Sequence, residues 1–221
     1  MPPHAQAPAP ADGGHAARKH AISRDDLLQA ALALIGPHRS VSTLSLREVA
    51  REAGIAPNSF YRQFRDMDEL TVALIERAGQ TLRTIIGQAR QRAAASRGGV
   101  VAQSVETFIE QMRADDKLMH VLLREGTAGS DAYKQAVDKQ LNYFEDELRV
   151  DLIRLAAADG GATLFEPALA SKAITRLVFA MGATALDLPP EKDPELIAQM
   201  THMIRMILTG ARTLAGHPPR A

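Results

Sequence analysis

The 221-residue chain has no cysteine, which excludes disulfides and thiol catalysis and suits a reducing compartment. It has no apolar run of the length needed to span a bilayer. Its N-terminus lacks the apolar core of a signal peptide, so a cytoplasmic location without export is expected. There is no HExxH pair, no glycine-rich phosphate loop and no clustered ligand set. Neither an enzyme nor a metal or cofactor site is therefore expected. His120 and His202 stand alone, and Asp115-Asp116 and Glu145-Asp146-Glu147 read as caps and solvated faces. No stretch alternates convincingly with the period of a strand, so the expected class is all-α. Net charge is missing too: 26 Lys/Arg balance 26 Asp/Glu, which at first argues against a nucleic-acid partner.

What is present alters that. The 46% hydrophobic and 24% charged fractions lie in the globular range, so most of the chain is expected to fold. The charge is divided: residues 1–65 hold eight Lys/Arg against five Asp/Glu, and the remainder 18 against 21. A basic end on an acidic body suits a phosphate-facing module attached to something else. Four of the seven histidines lie at that basic end.

The chain is organised around residues 45–64, SLREVAREAGIAPNSFYRQF. Leu46, Val49, Ala50 and Ala53 recur at i, i+3, i+4 and i+7, one face of a helix. Ser45 with Glu48 three residues later is a capping-box signature. Gly54 supplies a left-handed stop, Ile55 can plug the gap, and Pro57 suits the first turn of a second helix. Phe60 and Phe64 are its inward anchors, leaving Asn58, Ser59, Tyr61, Arg62 and Gln63 pointing outward. This is the plan of a helix-turn-helix. Taken alone it leaves equal room for a plain helical hairpin, in which Tyr61 would be an exposed aromatic without a role.

Residues 1–20 carry four prolines and no periodic apolar pattern, and read as a disordered arm ending in Arg18-Lys19-His20. That end is either a groove contact or an ordinary solvated tail. Ser23 caps a helix through Ile35, with Leu27, Leu28, Ala31, Leu34 and Ile35 inward and Asp25 and Asp26 favouring the positive end of the dipole. Gly36-Pro37 stops it. Asp66-Met67-Asp68 opens a long helix to about Arg92, the connector from head to body. Its apolar positions are Leu70, Leu74, Ile75, Leu82, Ile85 and Ile86. Residues 96–99 break the chain, and a helix with Val101, Val105, Phe108, Ile109 and Met112 inward follows. A short helix spans 117–124, and 122–133 reads as a glycine-containing corner. A long helix capped by Ser130 or Asp131 then runs to Gly160-Gly161. The last two helices, over 168–186 and 194–214, are apolar around too much of their circumference to bury one side only. They are expected to form a four-helix dimer interface through Leu177, Met181, Met200, Met203 and Ile207. Ala180, Gly182 and Ala183 would permit close approach; a monomeric core hairpin is the alternative.

The capped first helix, the segment TLSLREVAREAGIAPNSFYRQFRDMDEL and the helical remainder closely resemble the TetR family of bacterial repressors. The resemblance covers residues 20–215. It implies an arm over 1–20, a three-helix DNA-binding head over 21–66 and a ligand-binding and dimerisation body over 67–215. Together with LLREGTAGS and the following helix, it is similar to the FabR/DesT branch, whose members control unsaturated fatty-acid synthesis and respond to long-chain acyl thioesters. Carried over, the family's phosphate contacts fall on Thr43, Ser45, Ser59, Tyr61 and Gln63. Its base-edge contacts fall on Arg47, Pro57, Asn58 and Arg62, which fits the chemistry of arginine on guanine and asparagine on adenine. Two positions depart from the family: Gln63 stands where many members have histidine, and Met67 where many have lysine.

The resemblance further implies a homodimer on a palindromic operator, its heads separated by roughly 34–36 Å, and a hydrophobic effector that changes that separation. Candidate pocket residues are Leu82, Ile86, Phe108, Ile109, Met112, Leu122, Tyr133 and Phe144, each of which also reads as plain core. Arg83, Arg90, Arg92 and Arg124 are candidates, by residue type, for the anionic part of an acyl thioester. Two alternatives stay open, a drug-responsive efflux repressor of the same family and a dimerisation adaptor.

Overall fold

Ser23 opens the first helix of the computed structural model, which describes residues 22–36, 39–94, 99–114, 117–158 and 162–216. The N-terminal arm with Arg18-Lys19-His20, Pro37, the break over 96–98, Asp115-Asp116 and Gly160-Gly161 lie outside the described residues. Helix α1 is Arg24–Leu34, begun by a reciprocal cap in which the Asp26 amide donates to Ser23 Oγ and the Ser23 amide to Asp26. A 3-10 turn at Val41–Thr43 leads to α2, Leu46–Glu52, capped in the same manner by Ser45 and Glu48. Gly54 takes φ +67°, and the Ile55 amide reaches back to the Ala50 carbonyl at 2.9 Å. That left-handed ending is what glycine allows without steric cost. Helix α3 is the single turn Pro57–Phe60.

The body consists of α4 (Met67–Ala94), α5 (Val100–Arg113), α6 (Lys117–Ala128), α7 (Asp131–Ala158), α8 (Pro167–Ala185) and α9 (Asp193–Gly216). Among the described residues the only β pairing is one isolated bridge between Gly36 and Arg39, so the all-α class holds. Helix α6 continues to Ala128, past the corner expected from 122 onward, because Val121, Leu122 and Leu123 are all buried and hold that turn helical. The corner falls instead at Gly129, where a Cβ would sit 2.6 Å from the Tyr133 ring. Glu166, with φ +41°, turns the chain into Pro167 at the start of α8.

Helix α7 packs on α4 and α8, and α9 packs on α5 and α8. Arg113 forks onto Asp193 at 2.7–3.2 Å, fixing the end of α5 to the start of α9. One apolar core runs from Leu27 in α1 through Leu70, Leu74 and Leu82 of α4 to Ala211 in α9. The long helix α4 therefore belongs to the head's core at one end and to the body's at the other.

Candidate nucleic-acid interface and body cavity

Phe60 and Phe64 are both buried, with ring centroids 5.8 Å apart. They fix α3 against the rest of the head, which leaves Asn58, Tyr61 and Arg62 on its outer side. Arg47, Pro57, Asn58 and Arg62 are exposed, and Tyr61 is 60% exposed. The side chains of Arg47, Asn58, Tyr61 and Arg62 make no hydrogen bond or ion pair among the described residues. Arg24 braces this face from behind: its guanidinium lies 4.0 Å over the Phe64 ring, 2.8 Å from the Gln63 carbonyl and 2.9 Å from Glu69.

Gln63 does not point outward as expected. It is half-buried, and its Nε2 donates to the Ile22 carbonyl at 2.9 Å, because the turn after α3 brings it over the start of α1. Ser59 is half-buried, whereas Thr43 and Ser45 are exposed with their hydroxyl protons already placed. Thr43 donates to the Ser40 carbonyl at 2.7 Å and Ser45 to Glu48 at 2.8 Å. Glu48 also pairs with Arg39. The Ser45 amide and hydroxyl and the Arg39 guanidinium hold its carboxyl down to about 2.

The body encloses a cavity of about 130 Å³ between α4, α5, α7, α8 and α9, with an adjoining lobe of about 270 Å³. The two share Val100, Val101, Leu152, Leu155 and Leu208. Of the eight expected pocket residues, Ile86, Phe108 and Phe144 line it. Leu82, Ile109, Met112, Leu122 and Tyr133 do not line either lobe; they are packed core. Tyr133 instead donates to Asp68 at 2.7 Å, and burial pushes its phenol up to about 12. The remaining walls come from residues such as Ile174, Val178, Phe179, Ile204 and Leu208, whose helices the sequence pattern had given to dimerisation.

Among the four candidate cations only Arg90 reaches the cavity. Arg83 binds Gln140 at 2.6 Å and lies over the Tyr143 ring, Arg92 is exposed, and Arg124 stands 3.4 Å from Asp187. Two dimer-face expectations also change. Met200 is 0% exposed within the single chain, because it sits on the α9 stripe with Leu196 and Ile204 that packs inward. Gly182 faces the Phe108 ring, to which a Cβ would come within 2.7 Å, so it serves an internal contact. Leu177, Met181 and Ile207 are half-buried and Met203 is exposed. Met206, at 66% exposure, lies beside Met203 and was not anticipated, because its own neighbours in sequence are mixed.

Among the described residues no group of three His, Asp or Glu is placed to hold a metal ion, and no helix is long and apolar enough to cross a membrane. Residues 27–74, from α1 into the first turns of α4, match the model of the family described as bacterial regulatory proteins, tetR family. That match covers the head and the first turns of α4. The whole fold is similar to that of a transcriptional regulator from Rhodococcus sp. Rha1, at 20% identity and TM-score 0.64, over 86% of this chain and 98% of that one. It is similar to the regulatory protein TetR from Rhodobacter sphaeroides, at 20% identity and TM-score 0.63, over 81% and 97%. It is also similar to the transcriptional regulator FadR from Bacillus subtilis in complex with stearoyl-CoA, at 16% identity and TM-score 0.60, over 84% and 98%. At these identities the likeness is one of fold.

Proposed function

We propose that a chain with this TetR-family head on this helical body is a homodimeric transcriptional repressor whose grip on a palindromic operator is set by a hydrophobic effector. The observation that carries the reading is the face of α2 and α3: Arg47, Asn58, Tyr61 and Arg62 stand exposed, with no hydrogen bond or ion pair among the described residues, on a corner fixed from behind by Phe60 and Phe64. Arginine and asparagine suit base edges there, and the tyrosine hydroxyl suits phosphate oxygens.

The body supplies the control. Glu69 of α4 is held by Arg24 of the head, and Arg90 of the same helix lines the cavity. About 30 Å of one helix separates them, so a ligand that tilts α4 moves the heads. Only a ligand with different affinity for the two head spacings switches the protein. The second subunit is assigned to the outer face of α8 and α9, where Leu169, Ala173, Met203, Met206 and Leu214 are exposed.

The effector is assigned to fatty-acid metabolism, as a long-chain acyl-CoA or acyl-carrier-protein thioester. Its support is the resemblance of the head and the LLREGTAGS segment to the FabR/DesT branch. A second reading, an efflux repressor answering a hydrophobic drug, is favoured by the hydrocarbon character of most of the cavity wall. Fluorescence anisotropy on a palindrome from the gene's own upstream region, with and without saturated and unsaturated acyl-CoA, tests both. Binding that any acyl-CoA alters supports the first. DNA binding unmoved by acyl-CoA but altered by cationic dyes replaces it with the second.

A further inference from the structure

We infer that the body cavity is built for an amphiphile with a hydrocarbon chain and a single negative charge, a fatty carboxylate, whose head displaces Asp151 from Arg90. This rests on the cavity being an effector site, and replaces the acyl thioester of that reading with the free acid by fixing the charge and place of the effector's head.

Arg90 and Asp151 are the charged residues of the 130 Å³ lobe, and Arg212 is the charged residue at the rim of the adjoining one. Arg90 is 8% exposed, and its Nε donates to Asp151 Oδ2 at 2.7 Å. The guanidinium has further N–H donors in a planar fork, and these make no hydrogen bond among the described residues. Asp151 has a second partner: Arg154 Nη2 donates to its other oxygen at 2.7 Å, from the exposed side. An aspartate shared between two arginines can leave one without becoming unpaired. A ligand carboxylate arriving at Arg90 would form the two parallel bonds that guanidinium favours, while Asp151 stays on Arg154. No charge is stranded in the exchange, and stranding is what makes breaking a buried pair costly.

The arithmetic of the three side chains points the same way. Around Asp151, at this end of the cavity, two arginines and one aspartate sum to one positive charge, which one carboxylate neutralises. A cation meets repulsion, and a polyanionic carrier brings charges that the cavity does not match. Apart from Ser104, Thr175 and Arg212, the rest of the wall is hydrocarbon. Phe108, Phe144 and Phe179 close one side, and Leu152 and Leu208 continue into the adjoining lobe. Each methylene buried there tightens binding roughly fourfold.

The test is calorimetric titration of the full chain with dodecanoate, methyl dodecanoate and dodecanoyl-CoA. The wild type is expected to bind dodecanoate about tenfold to a hundredfold more tightly than the ester, the range for a hydrogen-bonded charge. Arg90→Met should bring dodecanoate down to the ester's affinity and leave the ester unchanged, which also shows that the variant is folded. Asp151→Asn should tighten dodecanoate, since a neutral amide competes less well for Arg90. Equal affinity for acid and ester in the wild type overturns the proposal, as does a variant that weakens both probes alike, the signature of a structural ion pair. Tighter binding of the CoA thioester than of dodecanoate, insensitive to Arg90→Met, overturns it as well but leaves the effector site standing. Failure of all three probes removes the effector site itself. If Arg90→Met does not fold, the wild-type comparison and Asp151→Asn decide.

Discussion

Ser40, just before the turn into α2, donates a 2.7 Å hydrogen bond to Oε1 of Glu125 on α6, a residue 85 positions away. Glu125 is 2% exposed, and its Oε2 has no hydrogen-bond partner among the described residues. Nearby, Lys117 at the start of α6 reaches the Ala33 carbonyl in the last turn of α1 at 3.1 Å, where a cation complements the helix dipole. Helix α6 therefore touches the head at two polar points, in addition to the continuous path through α4. Ser40→Ala removes the one hydrogen-bond donor that the Glu125 carboxyl has among the described residues and should lower stability by about 1–3 kcal/mol. Glu125→Gln keeps the acceptor and removes the buried charge, and should cost less than Ser40→Ala. Urea unfolding of both variants is the measurement. A Ser40→Ala midpoint equal to wild type would show that the bond holds nothing.

Tyr61→Ala and Arg47→Ala should separate binding from folding. Both side chains are exposed and outside the core, so the melting temperature should stay at the wild-type value. Loss of a hydrogen bond to a charged phosphate, or of a forked contact to a base, weakens operator binding by about tenfold to a hundredfold. Unaltered anisotropy titrations for both would move the DNA face away from α2 and α3.

Local chemistry made the head legible. A capping box needs only Ser and an acid three residues apart, so Ser23/Asp26 and Ser45/Glu48 announce their helices from sequence. The Gly54 stop and the Phe60/Phe64 anchors are local in the same sense. The inward turn of Gln63 is not legible locally, because its partner, the Ile22 carbonyl, is 41 residues away. In the body, α8 and α9 each carry two apolar stripes, and periodicity cannot say which faces inward. The neighbours decide: α5 and α7 claim the stripes with Ile174, Phe179, Met200 and Ile204. The cavity walls that α8 and α9 supply are therefore not legible from periodicity.

Glu48 gives the head an acid-sensitive contribution. Its folded carboxyl is held at about 2, below the ordinary 4.5, by Ser45 and Arg39. A depressed folded value stabilises the native state fully above the unfolded value. That contribution is lost as pH falls from 4.5 toward 2. Glu48→Gln should thus melt below the wild type at neutral pH, and the gap should close across that interval. Melting curves at stepped pH read it directly; a gap that is constant with pH would assign the difference to shape rather than charge.

Two methionines of α9 separate the proposed dimer face from the core. Met203 is exposed and Met200 is fully buried, although the two lie three residues apart. Met203→Asp should yield a folded monomer in sedimentation velocity, with operator affinity reduced because both half-sites are no longer bound together. Met200→Asp buries a charge without a partner and should unfold the chain. A Met203→Asp dimer would place the second subunit elsewhere.

Gly182 couples the cavity to α8. A methyl group there would come within 2.7 Å of Cε1 and Cζ of Phe108. The ring cannot slide freely, since its centroid is 5.9 Å from Phe179, which in turn meets Phe144 at 5.1 Å. The open space beside Phe108 is the cavity that it lines. In Gly182→Ala the ring should therefore tip into that space, at the roughly 1–3 kcal/mol typical of overpacking. Dodecanoate binding should weaken by far more than operator binding, because the head is remote from the clash. Gly182→Ala/Phe108→Leu removes the displaced ring and should restore both stability and ligand affinity, a coupling larger than independent sites would show. Full dodecanoate affinity in the single variant would mean that the ligand binds outside this cavity, whatever the fate of the head.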